Sequence, residues 1–125
     1  MMKMTGIDGM NASTSIPSFA FHWKTPDGTT NVIIEDTSPP RIQVFIGKNG
    51  SSVASWAFAV AELVNLALES ATLEEVIETL TEITTQNSTW NASGVECRST
   101  PEAIAFSLLE YKKILARQTL AKSLS

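Results

Sequence analysis

The stretch Arg41-Ile42-Gln43-Val44-Phe45-Ile46-Gly47-Lys48-Asn49-Gly50-Ser51-Ser52-Val53-Ala54-Ser55-Trp56-Ala57-Phe58-Ala59-Val60 changes its period halfway along. Up to Ile46, polar and apolar residues alternate, as they do on a strand buried on one face. After Gly50 the alternation stops. Residues 51–69 read as a helix, with Ser55, Glu62, Asn65 and Glu69 on one narrow polar stripe at spacings of seven, three and four. The remaining circumference is apolar: Trp56, Phe58, Val60, Leu63, Val64, Leu66, Leu68 and five alanines. Such a helix is expected to be covered on several sides, by later helices or by a second subunit.

Upstream, residues 19–24 are strand-like, and Thr25-Pro26-Asp27-Gly28 is a turn in which proline presets one dihedral and glycine supplies positive φ. A β-branched run over 29–35 makes a second strand, and Thr37-Ser38-Pro39-Pro40 breaks it. Three short strands in succession predict an antiparallel meander. Downstream, Thr72-Leu73-Glu74-Glu75 is a capping box that opens a short helix to about residue 82. The segment 84–94 is polar and turn-rich. Ser99 or Thr100 caps a final helix with Pro101 in its first turn, where a missing N–H costs nothing. That helix is expected to end near residue 120. The fold class is therefore α+β: a meander of about three strands, then two long helices and one short one. Residues 1–17 read as a loose arm, and 18–121 as a single domain.

Composition narrows the function. The chain has 125 residues, 43% of them hydrophobic, so a packed core is expected. Its net charge is −4, with a sequence pI of about 4.9 and a mean hydropathy of +0.06. No Lys/Arg stripe is present, which argues against duplex nucleic acid as a partner. A small anion in a local pocket remains compatible, because local charge can oppose net charge. The one cysteine, Cys97, allows no internal disulfide and fits a reducing compartment such as the cytoplasm. The start, Met1-Met2-Lys3-Met4, is followed by small and polar residues and does not read as a signal peptide. The most apolar segment, 53–68, contains Glu62 and is too short for a membrane span.

The chemistry-bearing residues are few. One histidine, His22, and one cysteine cannot build a structural metal site, and a lone histidine on a strand is more often structural than catalytic. Glu74 and Glu75 are explained by favourable charge at a helix start. No catalytic residue, metal or cofactor is expected. The positive signal is a pair of helix starts, each preceded by a cation. The first is Lys48-Asn49-Gly50-Ser51-Ser52 and the second Arg98-Ser99-Thr100. The first N–H groups of a helix lack internal partners and can bind phosphate, although most such starts are ordinary caps. Trp90 and Asn91 lie in the loop before the second start, where tryptophan either stacks on a base or plugs the core. Arg41 opens the third strand, beside the Lys48 turn or merely solvated. Arg117 comes late on the last helix, within reach of its own C-terminus or of a neighbouring subunit.

Several of these segments together resemble the TSCPD domain. They are Gln43-Val44-Phe45-Ile46-Gly47-Lys48-Asn49-Gly50-Ser51, the long apolar helix, Leu73-Glu74-Glu75-Val76-Ile77-Glu78-Thr79-Leu80, and Ser99-Thr100-Pro101-Glu102-Ala103-Ile104-Ala105. The resemblance covers roughly residues 19–113. It implies a module found at the C-terminal end of vitamin B12-dependent ribonucleotide reductases and as short free-standing proteins. The family pattern Thr-Ser-Cys-Pro-Asp reads Arg98-Ser99-Thr100-Pro101-Glu102 in this chain, so no thiol or metal role of that cysteine carries over. The residues point first to a non-enzymatic, homo-oligomeric protein that binds or sequesters a small phosphorylated ligand. A nucleotide or cyclic nucleotide signal is the expected class, and a phage protein blunting nucleotide-signalled defence would suit it. The alternative is an accessory module that acts on a reductase through protein–protein contact.

Overall fold

In the computed structural model, residues 16–46, 52–85, 88–90 and 94–124 are described. Most of the arm expected over 1–17 therefore lies outside the described residues.

Three antiparallel strands form the sheet in the order β1 (Ser18–Thr25), β2 (Gly28–Glu35) and β3 (Arg41–Ile46). Register follows the alternation. Trp23 faces Thr30 across β1 and β2, and Ile34 faces Ile42 across β2 and β3. Thr30, Val32, Ile34, Ile42, Val44 and Ile46 are all buried on one face. His22 lies on the other face, exposed, hydrogen-bonded to Asn31 directly opposite. The first hairpin closes over Pro26 and Asp27, with Gly28 at φ +123°, a backbone region that side chains resist. Thr25 accepts from the Asp27 N–H at 3.1 Å and donates to the Gly28 carbonyl at 2.9 Å.

Helix α1 (Ser52–Leu68) crosses β3, and α3 (Thr100–Leu124) crosses β2 and β1. The short α2 (Leu73–Thr81) lies on α3 and touches α1 only sparsely. The core between sheet and helices contains Ala57, Ala61, Val64, Leu108 and Tyr111. Polar groups inside it are paired. The Trp23 indole donates to Ser107 at 2.8 Å, and Ser107 donates to the Ala103 carbonyl at 2.9 Å. The Tyr111 hydroxyl donates to Asp36 at 2.7 Å, and burial together with that bond raises the phenol pKa.

The predicted α+β meander and its three helices are the observed ones, with two differences. The last helix continues to Leu124, because nothing after residue 120 breaks it. A pair of two-residue strands, β4 (Thr89–Trp90) within the turn-rich segment and β5 (Glu96–Cys97) just after it, is too short to leave a period in the sequence.

The α2 capping box is present in full. Thr72 accepts from the Glu75 N–H at 3.1 Å, and Glu75 accepts from the Thr72 N–H at 2.9 Å. These bonds lower the Glu75 pKa, and a hydrogen bond from Lys112 lowers that of Glu74. A depressed carboxylate pKa adds stability above its unfolded value, so both contributions fade as pH falls through the lowered values. Thr72→Ala is expected to cost about 0.5–2 kcal/mol in urea unfolding, with Thr72→Ser close to wild type.

Candidate ligand-binding site

Backbone register decides which of the expected site residues can meet. Strand β3 ends at Ile46, opposite Thr30, at the end of the sheet that carries the β1–β2 hairpin. The β4–β5 pair sits at that end too, where the Thr89 hydroxyl donates to the Lys24 carbonyl. The start of α3 joins them, with Thr100 donating to the Asp27 carboxylate at 2.7 Å. One end of the sheet therefore collects the β1–β2 turn, the β4–β5 pair and the α3 start, and β3 ends there. Lys48, Asn49, Ser51 and Asn91 lie outside the described residues, as does the side chain of Ser52.

Trp90 is 60% exposed, so it is not a plug on the core. Its ring is available for stacking. Arg41 opens β3 at the end opposite Ile46, about 17 Å away at ~3.3 Å per residue. There it pairs with Glu62 at 3.3 Å and Glu35 at 4.0 Å. Arg117 lies seventeen residues beyond Thr100 on one continuous helix, about 26 Å along its axis. Within one chain it does not reach the Trp90 end.

The α3 start is closed by its own residues. Ser99 accepts from the Glu102 N–H at 3.0 Å and donates to the Ile83 carbonyl. Glu102, 1% exposed, folds back onto Arg98, the residue before the cap. Its Oε1 accepts from the Arg98 N–H at 2.9 Å, and its Oε2 accepts from Arg98 Nη2 at 2.6 Å. Arg98, Ser99 and Thr100 are thus each held by an internal partner, which is the ordinary-cap alternative of the sequence reading. The Pro-Glu pair in the sequence signalled an ordinary acidic first turn, and the carboxylate folds back to complete it.

Sequence reading missed an apolar groove of about 780 Å³ between α1 and α2. Trp56, Val60, Leu63, Val76, Leu80 and Ile83 line it, with Asp27, Ser99 and Pro101 at the sheet-end side. Its signal was the over-apolar circumference of α1. At about 100° per residue, the groove positions 56, 60, 63 and 67 form a stripe next to the sheet-facing 57, 61, 64 and 68.

Cys97 is not set up as a nucleophile. It is 1% exposed, burial raises its thiol pKa, and Sγ donates to the Ser99 carbonyl at 3.2 Å. Among the described residues no cluster of His, Cys, Asp or Glu could hold a metal, and no helix is long and apolar enough to cross a membrane.

No curated protein and no solved structure matches the chain. A family model of the TSCPD domain matches residues 10–112, spanning the sheet, α1, α2 and the packed part of α3. The chain belongs to the TSCPD domain family.

Proposed function

We propose that this TSCPD-family chain is a non-enzymatic, oligomeric binding protein that holds a small phosphorylated ligand, a nucleotide or cyclic nucleotide, without cleaving it. The observation that carries this reading is Trp90. A large aromatic left 60% exposed on a two-residue strand contributes little to the core. It stands at the sheet end where β3 finishes. Base–aromatic stacking is worth about 1–3 kcal/mol per base. In this reading Lys48, Asn49, Ser51, Ser52 and Asn91 supply cation and polar donors to the phosphate, and Arg117 of a second copy adds a guanidinium fork. Arg98, Ser99 and Thr100 shape the site from behind, through Glu102, Ile83 and Asp27. The buried, protonated Cys97 and the solvent-facing His22 agree with binding rather than turnover.

The test is thermal unfolding against a panel of mono-, di- and cyclic nucleotides, followed by recovery of the ligand after denaturation. A ligand specific for the folded state adds about 2.7 kcal/mol at a hundredfold excess over Kd. Recovery of intact nucleotide is expected. A chemically altered one would sink sequestration, and a panel with no shift would favour the accessory-module reading. Trp90→Ala is expected to weaken binding by about 5- to 150-fold at nearly unchanged stability, the equivalent of losing one stacked base.

A further inference from the structure

Among the described residues, the last turns of α3 run past the packed part of the domain. Buried positions on this helix end at Tyr111, Ile114 and Leu115 are partly covered, and 116–124 are exposed throughout. Leu120 is 59% and Leu124 80% exposed. With Ala116 they recur at every fourth residue, which aligns them along one side of the helix. Nine residues of helix extend about 13.5 Å. A helical end of this length gains little from propensity alone and is stabilised by packing. No Pro or Gly interrupts residues 102–124, so the end cannot fold back into its own groove.

The groove between α1 and α2 presents the complementary deficit. Trp56 is 36%, Leu63 65% and Ile83 50% exposed along it. Charge matches the two surfaces. The chain from 52 to 82 carries Glu62, Glu69, Glu74, Glu75, Glu78 and Glu82 and no Lys or Arg. From 111 to 124 it carries Lys112, Lys113, Arg117 and Lys122 and no acid. The same pairing already occurs within one chain, where Lys112 meets Glu74 at 2.8 Å.

We propose that residues 116–124 of α3 in a second copy dock in the α1–α2 groove, Leu120 and Leu124 seated on Trp56, Leu63 and Ile83, with the basic flanks against the acidic helices. An amphipathic helix in an apolar groove is a recurrent mode of recognition. Reciprocal exchange closes the assembly as a twofold dimer, in which each copy gives one tail and receives one. The proposal deepens the oligomeric part of the reading above and stands without any ligand.

Native mass spectrometry and sedimentation of the full chain, without nucleotide, test it. Leu120→Asp/Leu124→Asp in the tail and Leu63→Asp in the groove should each raise the self-dissociation constant about a hundredfold or more, as loss of central apolar anchors does. Circular dichroism should show both variants folded, since all three positions are exposed. On the wild type, carbodiimide crosslinking of mixed ¹⁴N and ¹⁵N chains should join Lys122 to glutamates of α2 between copies. A monomeric wild type, variants that keep the wild-type mass, or intermolecular crosslinks confined to other surfaces would overturn the proposal. Nucleotide binding by a monomer would overturn this docking alone. A tail-docked dimer that takes up no nucleotide would overturn the binding reading alone.

Discussion

Replacing Glu102 by alanine is expected to lower the unfolding free energy by about 2–4 kcal/mol, read from urea denaturation. The carboxylate is 1% exposed and receives the Arg98 backbone N–H, Nε and Nη2 at 2.9, 3.3 and 2.6 Å. Breaking a fully buried pair costs about 3–5 kcal/mol. Arg98 is 46% exposed and can turn to water, which reduces the figure. The Arg98 N–H stays behind in a half-buried loop without its acceptor. Glu102→Gln should be milder than alanine, because the amide oxygen can still accept one bond. Arg98→Ala separates two roles for that arginine. As a partner of Glu102, its loss should lower stability and leave nucleotide affinity in the folded protein within about threefold, a change of under 0.7 kcal/mol. As a direct phosphate ligand, its loss would lower affinity tenfold or more at unchanged stability.

That distinction was beyond sequence reading. Arg98 and Glu102 are four residues apart across a helix start, a spacing equally suited to a free cation beside a cap and to a pair that closes on itself. Burial decides between them. Glu102 is pressed under the loop by Ser99 and Thr100, whose hydroxyls reach Ile83 and Asp27, 16 and 73 residues away. No local pattern reports contacts at that separation. Legible features were those set by period and punctuation: the alternation of β3, the turn at Gly28, the Thr72 capping box and Pro101. The β4–β5 pair was too short for a period. Arg41 was read as either beside the Lys48 turn or solvated, and its pairing with Glu62, on another element, was not legible in β3 itself. The over-apolar α1 was legible as a helix in need of cover. Which cover it receives depends on where α2 lands, and α2 leaves a groove.

Asn65→Ala should cost about 2–4 kcal/mol, from two hydrogen bonds lost at a site that excludes water. The sequence puts Asn65 on the polar stripe of α1, beside Ser55, Glu62 and Glu69, all three of which are exposed. Asn65 is 7% exposed because it stands at the edge of that stripe nearest the sheet. Its Oδ1 accepts from the Ile42 N–H at 2.7 Å, and its Nδ2 donates to the Ile42 carbonyl at 3.0 Å. The carboxamide thus acts as a single peptide unit added to β3, which pairs with β2 on its other side. An open edge with an unsatisfied N–H and C=O invites pairing with other chains. One side chain closes it while fixing the rotation of α1, and with it the direction in which Trp56 and Leu63 point. Leucine at 65 fills the space but leaves both Ile42 groups unpaired, so it should be nearly as costly as alanine. Aspartate keeps one acceptor but loses the donor and buries a charge. The specific readout is amide exchange at Ile42, which should speed up in Asn65→Ala more than at Ile34 across the ladder. If Ile42 stays as protected as Ile34, the Asn65 bonds do not hold that edge. If self-association falls together with Ile42 protection, while Leu120 and Leu124 are untouched, the rotation of α1 set by Asn65 also governs the groove.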